Sequence, residues 1–546
     1  MSDDVLSGDA LTPEPSSNDL SASAAARMGS RAIALAGLVV MTGIVLSRLL
    51  GWIRTAVFYA EYGGHSGQLD AFFAAFRIPD TLFQLVAAGA VTSALVPVAS
   101  ELLARGEAER ARRLISSIAN LMILVLIPIT TVAWILAPFL VPIIAPSSDP
   151  DKVALTVELT RWMLLSPVLL AIGAVMTASL YSIGIFGAPT LAPNMYNLGI
   201  IVCAVGLTPF MGIYALSTGV VVGAVCHVLT QSNNVRRHKL YRRVLDLDDP
   251  AVRQTLKLMA PRALGLGATQ LVFLVNTYFA FTLGNGPNSI YAGAFTALQI
   301  PVGLIGVPLG VVMLPPLSQA IARGENERFR RLVARTLSLL LYVVIPLTGV
   351  LFVLGRPSIA LLYQHGQFDA SDTGTMTPVY LLFLAGLIAH VLIALLAPVF
   401  YAGKDTRTPV TAALLAVAVD VASAVILFPS MHLLGLALAI GLGAWSEVAV
   451  LLLLMERRIG FDLRPLGRTV VMSLAGGLIA SAVTALVYAG SLRVAGERGG
   501  IPILLVELGT AGLAGMACYL LWSWLLRMAE LSAALDLVRT LLKRRR

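Results

Sequence analysis

Arg48, Arg54, Asp70, Arg77 and Asp80 all lie in apolar stretches near the start of the chain. An ionisable group inside a membrane span costs about 2.5 to 3.5 kcal/mol on insertion scales, so each of these needs a reason. Three guanidiniums beside two carboxylates read as a cationic wall that meets an anionic substrate. Arginine suits a phosphate because its planar fork gives bidentate hydrogen bonds and keeps its charge when desolvated. Arg48 and Arg54 are six positions apart, about 120° around a helix and two turns along it. Asp70 and Arg77, seven apart, share a helix face, with Asp80 three further along. Arg54 and Asp70 bracket one outer loop, which leaves two readings: a buried ion pair that fixes two spans, or a cavity wall that Asp70 tunes or gates.

The second half of the chain carries fewer embedded charges. Arg262, next to Pro261, is either a cavity cation or a side chain snorkelling to headgroups. Asp420 and Glu447 lie near the middles of their spans without adjacent bases. They either carry a coupling ion, Na⁺ or H⁺, or pair between two helices. Glu158 and Arg161, at i and i+3, suggest a local ion pair, and His227 and His390 read as packed or cavity histidines. Cys203, Cys226 and Cys518 have no metal-ligand spacing and read as small buried hydrophobes, so no metal or cofactor is expected. No phosphate-binding Gly-Lys loop appears, so the chain cannot drive transport with its own ATP hydrolysis, and the absence of a large aqueous loop argues against an enzyme.

The elements that must position these residues are membrane helices. Of 546 residues, 57% are hydrophobic and 13% charged, against about 25% charged in soluble domains. At roughly 20 apolar residues per span, the chain parses into an all-α polytopic membrane protein of about 14 transmembrane helices. The net charge of +9 is no nucleic-acid footprint, because the basic residues fall in every second loop. The positive-inside rule then places both termini in the cytoplasm.

The chain also contains itself twice. Pro97 to Leu114 reads PVASELLARGEAERARRL, and Pro315 to Leu332 reads PPLSQAIARGENERFRRL. Each copy is a basic hairpin between apolar segments, followed by a proline at the same offset, Pro128 and Pro346. Such duplication is the mark of a transporter built from repeats, with its site between them. An even number of spans per copy makes the repeat parallel. The expected organisation is a disordered cytoplasmic tail at 1–30, a six-helix lobe at 31–236, and a linker at 237–250. A second six-helix lobe at 251–456, two further helices at 457–527 and a basic cytoplasmic tail at 528–546 follow. The linker region from Gln231 to Asp249 is expected to form an amphipathic surface helix.

Ser47-Arg48-Leu49-Leu50-Gly51 with Arg54, then Asp70-Ala71-Phe72-Phe73, Arg77-Ile78-Pro79, and Gly89-Ala90 through Val96-Pro97 resemble the amino-terminal signature of the MurJ (MviN) family. Asn276-Thr277, Pro301 with Gly303, Gly306 and Leu314-Pro315, His365-Gly366-Gln367-Phe368, and Ala397-Pro398 through Tyr401 with Thr408-Pro409 follow in order. The resemblance runs over nearly the whole chain after residue 30. It implies a flippase of the multidrug/oligosaccharidyl-lipid/polysaccharide (MOP) superfamily, in the bacterial cytoplasmic (inner) membrane. Such proteins move undecaprenyl-pyrophosphate-linked disaccharide-pentapeptide, lipid II, to the outer leaflet by alternating access, for peptidoglycan and cell-wall biogenesis and cell shape.

Arg48, Arg54 and Asp70 match positions the family uses in its cationic cavity, and Arg77 and Arg262 join them as substrate-binding candidates. The lipid tail is expected along the two helices at 457–527. Coupling to a Na⁺ or H⁺ gradient or to the membrane potential, membrane lipids and cell-wall synthesis proteins as partners, and a monomeric chain complete the expectation. The sequence also departs from the family. Phe83-Gln84 stands where many relatives have an arginine pair, Ala88 replaces a common glutamate, and Thr296 occupies the place of a cavity arginine. These departures favour, as the alternative, an exporter of another polyprenyl-pyrophosphate-linked oligosaccharide. A cation-coupled drug antiporter of the same superfamily is disfavoured by the arginines.

Overall fold

A lipid interior offers no water to satisfy backbone N–H and C=O groups, so apolar stretches of this length fold as helices. The computed structural model describes residues 30–86, 90–403, 405, 407–461, 464–495 and 500–532, and every regular element among them is helical. In chain order these are α1 (Ser30–Tyr62), α2 (Gly67–Val86), α3 (Ala90–Ala104), α4 (Ala108–Ile144), α5 (Pro150–Met163), α6 (Ser166–Ser182), α7 (Gly187–Met211), α8 (Tyr214–Arg237) and α9 (Pro250–Thr282). Then follow α10 (Pro287–Pro301), a π-helical turn (Val302–Gly306), α11 (Val307–Ala322), α12 (Asn326–Val353), α13 (Gly355–Tyr363), α14 (Ala370–Ala385), α15 (Leu387–Ala402), α16 (Arg407–Met431), α17 (Leu433–Ile459), α18 (Arg464–Ala495) and α19 (Ile501–Leu525).

Among the described residues, twelve segments can cross a membrane by length and composition, or thirteen when α14 and α15, bent by 43° at their junction, count as one. The expected fourteen also included α2 with α3, which flank residues outside the description. Several breaks have visible causes. The α5–α6 break precedes Pro167, the α14–α15 bend sits at Gly386, and the π turn follows Pro301. Proline removes a backbone donor and clashes with the preceding turn, so the helix kinks or re-registers there.

The duplicated hairpins fold alike. Gly106 and Gly324 both adopt positive φ, 80° and 71°, and Glu107 N donates to Leu102 O as Glu325 N donates to Ala320 O, each at 2.9 Å. Corresponding helices also pair alike: α7 packs on α8 as α16 on α17, α2 on α5 as α10 on α14, and α3 on α6 as α11 on α15. Outside the duplication, α18 lies along α12, where Gly477 faces Pro346 and Gly349 faces Ser481, and α19 packs on α18 with Gly515 against Thr484. Large apolar side chains on the outer surface, such as Phe210 at 84% exposure, suit contact with lipid.

The linker differs from the expected amphipathic helix. The α8 helix ends at Arg237, and residues 238–249 are an irregular strap laid on the hairpin end of α4. Lys239 takes positive φ, and α4 satisfies the strap's backbone groups instead of a helix doing so. Ser116 Oγ accepts from Arg242 N, Ser117 Oγ from Asp246 N, and Asn120 Nδ2 donates to Val244 O at 2.8 Å. Arg110 and Asp249 pin its end with a two-pronged ion pair at 3.0 and 3.1 Å. The expected tails lie largely outside the described residues.

Candidate functional site

Two polar assemblies stand out among the embedded residues. The first closes the end of the molecule opposite the basic hairpins. Asp70, in the first turn of α2, is fully buried, and its carboxylate takes Lys152 Nζ of α5 at 3.0 Å. It also accepts backbone N–H bonds from Gly286 and Ser289 at 2.8 and 2.7 Å. Lys152 donates in addition to Gly284 O at 2.8 Å and stands 3.9 Å over the Phe281 ring. Gly284 and Gly286 adopt φ of 104° and 108° to turn the α9–α10 loop onto this pair, a conformation natural only to glycine.

The same seam continues along the loops. Ser289 Oγ donates to Gly64 O, Tyr59 Oη donates to Ser289 O, Gly64 N donates to Asp372 Oδ2, and His65 meets the other Asp372 oxygen. Gln367 N bonds Ala60 O at 2.9 Å. Behind it Tyr59, Tyr363 and Phe368 stack edge to face. The two copies of the repeat are thus sewn together at this end. Asp70 does not approach Arg54, as the shared loop had suggested. Lys152 takes it instead, because the start of α5 is where the buried carboxylate in α2 finds a cation.

The second assembly surrounds the arginines, deeper along the helices. Arg54 Nη1 donates to Asn197 Oδ1 of α7 at 3.1 Å. Arg77 Nε donates to Thr277 Oγ1 of α9 at 3.1 Å, with its guanidinium 5.1 Å from the Phe273 ring. Asp80 interacts electrostatically with both Arg77 and Arg54 yet forms no ion pair with either among the described residues; Gln84 Nε2 reaches it at 3.4 Å. Arg54 and Asp80 line one cavity of about 370 Å³ with Phe76, Phe83, Tyr196 and His227 among its walls. Arg48, two turns from Arg54, lies instead along Gly303 of the π turn, where an added Cβ would come within 3.3 Å of its stem.

The polar residues extend from here into the second copy. Arg77 is near Tyr291 of α10, and Tyr291 is near Asn276 of α9 and Asp420 of α16. Asp420 is buried beside the Asn276 carboxamide without a well-formed hydrogen bond between them. Glu447 is half-buried and does not bond Asp420. Arg262 lies on α9, but its side chain falls outside the described residues. Thr296 turns its hydroxyl back to Ala292 O, leaving no charge at that position. The expected Glu158–Arg161 pair is not formed: Glu158 accepts from Tyr214, and Arg161 caps the Trp134 carbonyl and ring. Sequence reasoning missed Asn197, Tyr196 and Tyr291, whose only signal was polarity within apolar runs.

The profile of the family described as "Lipid II flippase MurJ" matches residues 59–505. The chain belongs to the MurJ family of lipid II flippases. Among the family's members, the lipid II flippase MurJ of Burkholderia cenocepacia is 29% identical over 423 residues, covering 76% of this chain and 82% of the relative. The probable lipid II flippase MurJ of Rhizobium meliloti is 31% identical over 455 residues, 80% and 83% of the two chains. In fold the chain is similar to a lipid II flippase MurJ solved in an inward closed conformation, with TM-score 0.76, 21% identity, and 90% and 98% coverage. It is also similar to an inward-facing multidrug resistance MATE family transporter of the MOP superfamily, with TM-score 0.65, 15% identity, and 79% and 99% coverage. This family member is therefore a multi-pass membrane protein with a MOP-superfamily fold.

Proposed function

We propose that the chain carries lipid II from the cytoplasmic to the outer leaflet of the bacterial cytoplasmic membrane, by alternating access between two parallel six-helix lobes at 31–236 and 251–456. The observation that carries this reading is the arginine set. Arg48, Arg54 and Arg77 are embedded at mid-helix with one local carboxylate, Asp80, while the opposite end is sewn shut. A diphosphate supplies the missing negative charge, and bidentate guanidinium contacts hold it where little water competes. Arg262 adds a fourth cation on α9, and Asp70 acts through the seam rather than on the substrate. Both termini are cytoplasmic, the prenyl tail runs against α18 and α19, and the protein works as a monomer handing substrate to cell-wall synthesis enzymes.

Asp420, with Asn276 and Tyr291, and Glu447 are the groups we assign to coupling with a Na⁺ or H⁺ gradient or the membrane potential. Intramembrane carboxylates of this kind are expensive unless they bind something. A drug-antiporter role fits poorly, because a cationic wall repels cationic drugs. A different lipid-linked oligosaccharide as cargo is favoured by Phe83, Gln84 and Thr296, which stand where relatives carry arginines.

The test is growth. Expressed in a host depleted of its own lipid II flippase, the wild-type chain is expected to restore growth. Arg48→Ala and Arg54→Ala are expected to abolish it at equal membrane abundance. No rescue by well-expressed wild type refutes lipid II as the cargo.

A further inference from the structure

The cavity beside Arg54 has walls that a diphosphate does not explain. It lies within the first copy, between α1, α2, α6, α7 and α8. At about 370 Å³ it falls in the range of small-molecule sites, roughly 300 to 1,000 Å³. Three half-buried aromatic rings, Phe76, Phe83 and Tyr196, form its apolar faces. Its polar edge mixes an acceptor, the Asp80 carboxylate, with donors. The donors are the Arg54 guanidinium, which also donates to Asn197, and the His227 ring, 8% exposed and with its Nδ1 turned against α6. The histidine ring can stand there only because Gly173 is opposite: a Cβ at 173 would come within 2.6 Å of Nδ1.

That combination selects a ligand class. A bare anion site would not include Asp80, and an acyl chain would leave the Asp80 carboxylate with only the long Gln84 contact among the described residues. A pyranose satisfies both halves. Its hydroxyls donate to Asp80 and accept from Arg54 and His227, and its C–H face lies on the negative face of an aromatic ring. In a diphosphate-linked glycan the first sugar is bonded directly to phosphate. A sugar site must therefore adjoin the guanidiniums that hold the diphosphate, and Arg54 belongs to both.

We propose that this cavity is a sugar subsite, taking the pyranose attached to the substrate's diphosphate, with Phe83 as its stacking face. The proposal rests on the flippase reading above.

The experiment measures equilibrium binding of two lipids to the purified full-length protein: undecaprenyl diphosphate, and undecaprenyl diphosphate carrying the disaccharide without peptide. The wild type is expected to bind the disaccharide lipid about tenfold more tightly, a difference of about 1.4 kcal/mol. Phe83→Ala is expected to bring that ratio to about one, and Phe83→Trp, which restores an aromatic face and reports that the fold is intact, to keep it. Equal affinity of the wild type for both lipids overturns the subsite alone. So does a Phe83→Ala variant that weakens both lipids equally. Binding of neither lipid overturns the flippase reading and the subsite with it.

Discussion

Lys152 and Asp70 are 82 positions apart in the chain and 3.0 Å apart in space. Removing one partner of a buried ion pair costs about 3 to 5 kcal/mol, because the other charge is left desolvated. The two halves of this pair are not equally exposed to that cost. Asp70 without Lys152 keeps two backbone N–H donors, from Gly286 and Ser289. Lys152 without Asp70 keeps one carbonyl and the Phe281 face. Asp70→Asn is therefore expected to lower the melting temperature of the purified protein more than Lys152→Met does. The double variant is expected to lose less than the sum of the two, and strictly additive losses in that cycle would show that the pair is not coupled.

At the scale of elements, glycines decide where α7 stands. Gly199 and Gly223 bring α7 and α8 into backbone contact, and a Cβ at 223 would lie 2.5 Å from the Tyr196 carbonyl. Tyr196 and Asn197 are the residues α7 presents to Arg54, so this contact sets the arginine's geometry. Gly223→Ala is expected to cost about 1 to 3 kcal/mol, as overpacking does, and to weaken growth rescue. Gly206→Ala on α7 has open space at its Cβ and is expected to be neutral or stabilising, as Gly→Ala in a helix is. Thermal melts of the two variants check both.

The linker strap carries a pH dependence. The Arg110 guanidinium holds the Asp249 carboxyl below its usual value. A depressed carboxylate pKa stabilises the folded state above the unfolded value and loses that contribution as the pH falls through the folded one. A spin label on the exposed strap position Leu247 is expected to keep constant mobility from pH 7 to about 5 and to loosen only below the ordinary carboxylate range, near 4. Asp249→Asn is expected to loosen it at every pH.

For the molecule as a whole, the sewn end must open if substrate leaves there. Ala60 and Gln367 are joined by a backbone hydrogen bond across the seam. Cysteines at these two positions, in a chain whose three native cysteines are replaced, are expected to lock the end when oxidised. Growth rescue should then fail and return with reductant; rescue that persists in fully cross-linked protein would refute opening at this end.

The helical membrane class, the duplicated hairpins and the embedded arginines were legible in the chain itself. Hydropathy, charge and local repeats are properties of short windows, and an arginine in an apolar run costs the same wherever the run packs. Partners were not legible. Lys152 rather than Arg54 for Asp70, Asn197 for Arg54, and a strap instead of a surface helix after Arg237 all depend on which helices meet. So does Phe83, which in sequence is only a missing arginine and becomes a cavity wall when α2 meets α6, α7 and α8. These contacts are long-range, set by glycine gaps and proline breaks that no single stretch of sequence reveals, and only the tertiary structure decides them.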